Sequence, residues 1–425
     1  MVFGEAKAFE TGSGRWTQSG SVVSDLIVAV LFIVAIVGAA AGKLFIAALC
    51  GLVLVLVVVS RLWSRLALVE VEYQCKPSND RLLIGDSFEL ALTVENRKPL
   101  PLPWIAITEF VPTGLVLDRK GAAIRSQFGL MEIKETTSLG QYERVTFNHR
   151  LTARRRGHYA FGPSRIDSGD IFGFYEARLE SHRRPTSLVV YPRTVPLPKL
   201  NLLSSRPIGD SLSRTQRVDD PTRPSGLREY RPGDPARRID WKATARRDAV
   251  FVRTFDPSVS QRVVILVECN TSDVGRWNNR TDFLEHAITG AASVAVRAIE
   301  TGCAVGVVVN CNIAGGIAPP VVAPGAGPDQ IAAIMTTLAG ATSMTTKPLE
   351  EVVLRHGAEA LPFGATVVLI AGVFRPTVTN FITDLGRKGH RTLALYVGDG
   401  DVPEIPGLAV EDYRGVFAVP EGDDA

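Results

Sequence analysis

The chain has 425 residues, with 47 Lys and Arg against 44 Asp and Glu and a formal charge of +3. So even a balance gives no electrostatic case for a nucleic acid or an acidic substrate, and the length predicts two or three domains with substantial cores. Five cysteines, Cys50, Cys75, Cys269, Cys303 and Cys311, show neither CxxC nor zinc-ligand spacing, and Cys303 and Cys311, on or beside an expected buried strand, read as small core hydrophobes.

Residues 1–24 read as an N-terminal tail. Leu26 to Gly42 and Leu44 to Val59 are almost wholly apolar and are separated by Lys43. Each approaches the ~20 residues needed to cross a bilayer, so a transmembrane hairpin is expected over 25–62. A signal peptide has one apolar run of roughly 7 to 15 residues followed by a small-residue cleavage site, whereas here a second run follows at once. One continuous helix of about 34 apolar residues overshoots a membrane. A buried helical pair in a soluble protein stays open. Lys43 lies in the turn and Lys7, Arg15, Arg61 and Arg65 in the flanks, which places both ends in the cytoplasm and the protein in the inner (cytoplasmic) membrane.

Over 66–196 the period becomes two. The runs VEVEYQC, SFELALTVEN, WIAITEF, RVTFNHRLTA and TSLVVYP, bounded by Gly, Pro and Asn, predict the strands of an antiparallel β-sandwich. Residues 197–225, rich in Pro, Ser, Arg and Asp, read as a linker. In 226–425, strands at AVFVRTF, RVVILVE, CAVGVVVN, ATVVLIAG and TLALYVG alternate with helices at Thr281–Glu300, Pro328–Ala339 and Pro376–Lys388. That alternation predicts a doubly wound α/β domain with a parallel sheet. The fold class is therefore multidomain α and β: helical hairpin, sandwich, then α/β domain.

The densest chemistry lies between Gly226 and Asp256, in GLREYRPGDPARRIDWKATARRDAVFVRTFD. Bases such as Arg228, Arg238, Lys242 and Arg246 interleave with Glu229, Asp234, Asp240 and Asp248, the pattern of a salt-bridged surface rather than a tail of one sign. Pro232-Gly233-Asp234-Pro235 is a turn, and Ile239, Trp241 and Ala245 are expected to form its apolar side.

This run resembles the signature of the bacterial domain of unknown function 58 family, carried here by Gly226, Leu227, Arg228, Glu229, Tyr230, Gly233, Asp234, Arg238, Ile239, Asp240, Trp241, Lys242, Ala245 and Arg246. Arg156-Gly157-His158-Tyr159, Gly162-Pro163, Gly169 to Gly173 and Val189 to Pro192 look like the family's sandwich motifs. The resemblance implies a membrane-linked protein with a von Willebrand factor type A-like domain, often paired with a MoxR-type AAA+ ATPase.

A metal-binding type A domain carries Asp-x-Ser-x-Ser after its first strand, since Mg²⁺ takes hard oxygen ligands. Here the string is Glu268-Cys269-Asn270-Thr271-Ser272, and Ala371 and Gly372 stand where a later Thr and Asp belong. Glu268, Asn270 and Ser272 are thus expected to be a degenerate site, with no metal and no cofactor. GxxxxGK[ST], HExxH and GxSxG are all missing from the sequence. The expected function is a non-enzymatic adaptor working with the ATPase; an envelope-associated hydrolase or transferase using Asp234 and Asp240, and a scaffold independent of the ATPase, are the alternatives. For the signature residues Arg228, Glu229, Tyr230, Gly233, Asp234, Arg238, Asp240, Trp241, Lys242 and Arg246, three roles are open: a docking face, an interdomain brace plugged by Trp241, or an anion site.

Overall fold

A computed structural model of the chain describes residues 8–11, 14–21, 25–118, 126–127, 129–181, 186–197, 200, 219–230, 239–247, 249–257, 261–272 and 280–417. The chain is mixed α and β, with an N-terminal apolar helix and several sheets. It divides into two compact units, Met1–Arg193 with Leu338–Gly340, and Thr194–Thr337 with Ala341–Ala425.

The first unit opens with α1 (Asp25–Ala40) and α2 (Leu44–Ala67), which pack on each other across a turn at Gly42. Gly42 has φ +69°, the left-handed conformation that ends a helix without a Cβ clash. Both helices expose apolar side chains such as Phe32, Ile36, Leu49 and Leu52. The 24-residue α2 is long and apolar enough to cross a membrane; α1, with 16 residues, is shorter. The second helix runs eight residues past the expected Val59 because its far end has a protein partner. Val57, Ser60, Ser64 and Ala67 are buried at helical spacing.

Three sheets complete the unit. One has the order β1 (Ala8–Thr11), β2 (Gly14–Ser21), β13 (Tyr175–Ser181), β12 (Ser164–Gly169), β6 (Leu102–Pro112), β9 (Leu130–Leu139), β8 (Ser126–Gln127). The second runs β3 (Val71–Pro77), β5 (Ser87–Asn96), β10 (Arg144–Ala153), β7 (Leu115–Leu117). The third runs β11 (Gly157–Phe161), β14 (Thr186–Tyr191), β4 (Arg81–Leu83), and only its β14–β4 pair is parallel among the described pairs of this unit. The alternation of β5, with Phe88, Leu90, Leu92 and Val94 inward, joins Ile105 and Ile107 of β6, Ile133 of β9 and Leu188 of β14 in one core, as a sandwich requires. Strands β1 and β2 lie within the expected tail, and α2 packs on β12 and β13.

Two buried charges tie this unit together. Lys98 donates from Nζ to the carbonyls of Ala67 (2.6 Å) and Val69 (2.7 Å), satisfying orphan acceptors at the end of α2. Burial pushes its pKa down to about 8, against the opposing pull of Glu70. Glu109, fully buried on β6, accepts from the Tyr73 hydroxyl (2.6 Å) and the Ser164 hydroxyl (2.5 Å) on Oε2, which links β3, β6 and β12. Burial pushes the Glu109 pKa up, and these hydroxyls hold it back.

In the second unit, β15 (Asp219–Glu229), which begins inside the expected linker, pairs antiparallel with β16 (Phe251–Pro257), and α3 (Trp241–Arg247) packs on β16. The main sheet has the order β20 (Val321–Gly325), β18 (Ala304–Val309), β17 (Arg262–Val267), β22 (Thr366–Ala371), β23 (Arg391–Tyr396), β24 (Ala409–Asp412). All its neighbours are parallel except β20–β18. A small pair, β19 (Cys311–Ile313) and β21 (Ala341–Thr345), adjoins it in sequence. Strand β17 buries Val263 to Val267 completely, each side chain contributing about 1.5–3 kcal/mol. Val264 and Leu266 face a cluster with α6 (Leu349–Ala360) and α7 (Pro376–Arg387). The alternate residues Val263, Ile265 and Val267 face the other side, and α4 (Thr281–Glu300) packs on β17, β18 and β22 from there. Two more helices, α5 (Pro328–Gly340) and α8 (Arg414–Phe417), complete the set, and Phe417 packs 2.9 Å from where a Cβ on Gly290 of α4 would lie.

Tyr73→Phe removes a donor from the buried Glu109 carboxyl and is expected to lower stability by about 1–3 kcal/mol. Burial raises the folded pKa of Glu109, so the fold loses stability as pH rises through it, and the Tyr73 donor, which lowers that pKa, offsets this by favouring the charged carboxylate. The loss should therefore be smaller at pH 4.5 than at pH 8 when thermal unfolding of the detergent-solubilised protein is compared at the two values.

Candidate functional site

Strand β17 has β18 on one side and β22 on the other, so the winding reverses here and a crevice opens beyond the carboxyl ends of the strands. Three loops supply its polar side chains. Glu268 follows β17, Asn310 follows β18, and Arg375 follows β22 as the residue before α7.

Glu268 is fully buried, and its Oε1 accepts from the backbone N–H of Asn270 (2.9 Å), from Asn310 Nδ2 (2.7 Å) and from the Arg375 guanidinium (2.9 Å). Asn310 Oδ1 in turn accepts from the Cys269 N–H at 2.8 Å. Burial pushes the Glu268 pKa up, while Arg375 and the amide donors pull it back. Its Oε2 and the Arg375 Nε have no hydrogen-bond partner among the described residues.

Of the expected degenerate metal residues, Asn270 and Ser272 turn inward on their own loop: Asn270 Oδ1 accepts the Ser272 N–H at 3.2 Å, and both residues are buried. The cation beside Glu268 is a guanidinium. Where a second ligand would project from Gly372, the Phe283 side chain fills the space, its Cβ 3.0 Å from a Cβ built there. Arg280 lies over that ring at 4.5 Å. Gly398 approaches so closely that a Cβ would meet the Gly372 carbonyl at 2.1 Å. These residues do not fit an octahedral oxygen cage. Among the described residues, no three of His, Cys, Asp and Glu are grouped to hold an ion.

Sequence reasoning found Glu268 but missed Asn310 and Arg375. The available signal was positional: each is a polar residue just beyond the carboxyl end of a strand flanking β17.

The signature residues occupy β15, α3 and the segments between. Asp240 caps α3, its Oδ1 accepting from the Lys242 and Ala243 N–H groups at 3.0 Å each. The cap fixes the helix start at Trp241, which is 70% exposed. The expectation that Trp241 and Ala245 form the apolar side is therefore corrected: both are exposed, and Ala243 and Thr244 take the half-buried side, with Thr244 Oγ1 accepting the Phe251 N–H at 3.1 Å. Arg228, Glu229, Tyr230, Lys242 and Arg246 are exposed as well. Gly233, Asp234, Arg238 and Asp248 lie outside the described residues.

Residues 226–413 match the family described as "Protein of unknown function DUF58", which spans the signature and the parallel sheet. The chain is also similar to the uncharacterized protein YeaD of Bacillus subtilis (strain 168), 24% identical over 229 residues. That alignment covers 53% of this chain and 52% of the relative, so the chain spans about half the length of the curated relative it matches. Among solved structures, a CARDB domain of Pyrococcus furiosus is 14% identical over 28% of this chain and 91% of its own, with a TM-score of 0.20. A putative membrane anchored protein of Corynebacterium diphtheriae is 16% identical over 29% of this chain and 32% of its own, also with a TM-score of 0.20. Scores this low carry no argument about fold.

Arg375→Met strands the Glu268 carboxylate without its counter-charge, and unfolding should become easier by about 3–5 kcal/mol at pH 7.5. Glu268→Gln added to it should recover part of the loss, and a double-mutant cycle in chemical denaturation measures the coupling.

Proposed function

We propose that the protein is a non-enzymatic adaptor anchored in the inner (cytoplasmic) membrane by α1 and α2 as a transmembrane hairpin, with its soluble units in the cytoplasm. On this reading the parallel-sheet unit is a degenerate von Willebrand factor type A-like domain, and the signature face docks a MoxR-type AAA+ ATPase that supplies the energy.

The exposed Trp241 is the observation that carries this reading. A large aromatic held out to solvent at the start of a capped helix, with Tyr230, Lys242 and Arg246 also exposed, has the composition of an interface anchor. Two features support it. The α2 helix is apolar and, at ~1.5 Å per residue, long enough for a bilayer of about 30 Å. One oxygen of Asp240, Oδ1, already accepts two backbone donors as the cap of α3, which weighs against Asp240 as a catalytic base.

Affinity capture from detergent-solubilised membranes, in ATP and in ADP, tests the reading with wild type against Trp241→Ala/Lys242→Glu. An AAA+ ATPase should co-purify with the wild type and be lost from the variant while the variant's thermal unfolding is unchanged. Equal capture by both, or capture of the ATPase by neither, rejects the docking role of this face.

A further inference from the structure

The turn between β12 and β13, Asp170 to Phe174, is an exposed apolar tip held in shape from within. Asp170 is buried, and its carboxylate accepts the N–H of Phe172 at 3.0 Å and of Tyr175 at 2.7 Å. This brace leaves Ile171 62% and Phe172 52% exposed, with the Phe172 ring stacked on Phe174 at 5.8 Å. Each large apolar side chain left in water forgoes roughly 1.5–3 kcal/mol of burial. A buried carboxylate that fixes two of them outward is a device for presenting them.

Strand direction and register place the tip. Tyr175, the first residue of β13, pairs with Ser21, the last residue of β2, and α1 begins four residues later at Asp25. Four residues reach at most about 14 Å. Strand β12 runs toward this end and β13 runs away from it, so their turn points to where the apolar helices begin. The α2 helix packs on both strands, with Ser60 and Ser64 buried. Trp104 stands at the base of the same turn, its ring 3.0 Å from where a Cβ on Gly169 would lie.

We propose that Ile171 and Phe172 insert into the lipid surface, at the boundary of headgroups and acyl chains, as a contact additional to the two helices. The proposal rests on the membrane reading of α1 and α2. Lipid is the occupant because the tip is continuous with the apolar helices: it belongs to the strands that α2 packs on, and it lies within a few residues' reach of the start of α1. Aliphatic and aromatic side chains beside a tryptophan are also what the interfacial zone favours.

The test places a fluorophore on a cysteine introduced into the full-length protein with its five native cysteines replaced by alanine, reconstituted in phosphatidylcholine/phosphatidylglycerol vesicles with or without brominated acyl chains. Three labelled variants are compared: Leu52→Cys on α2, Phe172→Cys on the tip, and Val116→Cys on β7. All three native side chains are exposed, so each variant should keep the fold, which its thermal unfolding verifies. Val116 serves as the distal control. It pairs with Thr152 of β10, which pairs with Ser87 at the start of β5, whereas Asn96 at the far end of β5 pairs with Val71 just after α2. Expected is loss of emission in brominated vesicles at positions 52 and 172 and none at 116. Loss at 52 with position 172 behaving like 116 overturns the proposal and leaves the membrane reading standing. Emission unchanged at 52 overturns the membrane reading, and the proposal with it. Ile171→Cys repeats the measurement at the neighbouring side chain, so a local effect of the probe at 172 cannot decide the outcome.

Discussion

Taking an ionisable group out of water is so unfavourable that such a group survives only where several donors or acceptors converge on it. This constraint organises the chain, because the deeply buried Lys98, Glu109 and Glu268 sit where separate elements must be joined. Lys98 closes the end of α2 onto the loop after β5. Glu109 gathers hydroxyls from β3 and β12 onto β6. Glu268 draws the loops after β17, β18 and β22 to one oxygen. Apolar packing supplies most of the stabilisation in both cores, but it is non-directional. The convergent charges fix which strand ends meet.

The Glu268 site shows how such a junction differs from an ion-binding site built on the same kind of sheet. A bound divalent ion exchanges with solvent and leaves coordination positions for a ligand. A guanidinium is covalently part of the chain and cannot be removed by a chelator. With Arg375 on Glu268, Phe283 under Gly372, and Gly398 against the Gly372 carbonyl, the crevice is closed by side chain and backbone. The raised Glu268 pKa follows from the same arrangement: burial weighs against the charge more heavily than one shared oxygen compensates.

Much of the fold could be read from period and punctuation. The continuous Val, Ile and Leu of RVVILV has no solvent face, and only a strand covered on both sides accommodates that; β17 is such a strand. The strict alternation of SFELALTVEN gave β5 its inward face in advance. Helix α6 was not read because its apolar positions, Leu349, Val352 and Val353, occupy barely one turn before Gly357 interrupts the helix at φ +53°. Strand β9, LMEIKETTSL, is polar over half its length and is a strand because β6 pairs with it. The site was legible only on the residues of one loop. Asn310 and Arg375 are remote in sequence from Glu268, and nothing local marks either as its partner; parallel pairing of β18 and β22 with β17 brings them there. Trp241 was misread for a similar reason, since period alone cannot tell which side of a seven-residue helix faces solvent, and the Asp240 cap decided it.

The first unit is also unequal at its two ends, and the inequality follows from the order of elements. At one end converge the last residue of β2, the β12–β13 turn, the end of α2 and the Lys98 loop. At the other lie short strands and turns such as β7 and the Gly85 bend. Three polar groups at the first end are satisfied internally: Asp170 by its own turn, Lys98 by helix carbonyls, Ser168 by the Trp104 carbonyl at 2.7 Å. Among the side chains left outside there are Ile171 and Phe172 on the turn, beside the exposed Arg65 at the end of α2 and Arg97 in the Lys98 loop. A turn whose carboxylate is satisfied inward and whose large side chains face outward loses little by leaving water. The buried bonds of Asp170 that shape the turn therefore also set which large side chains it presents beside the end of α2.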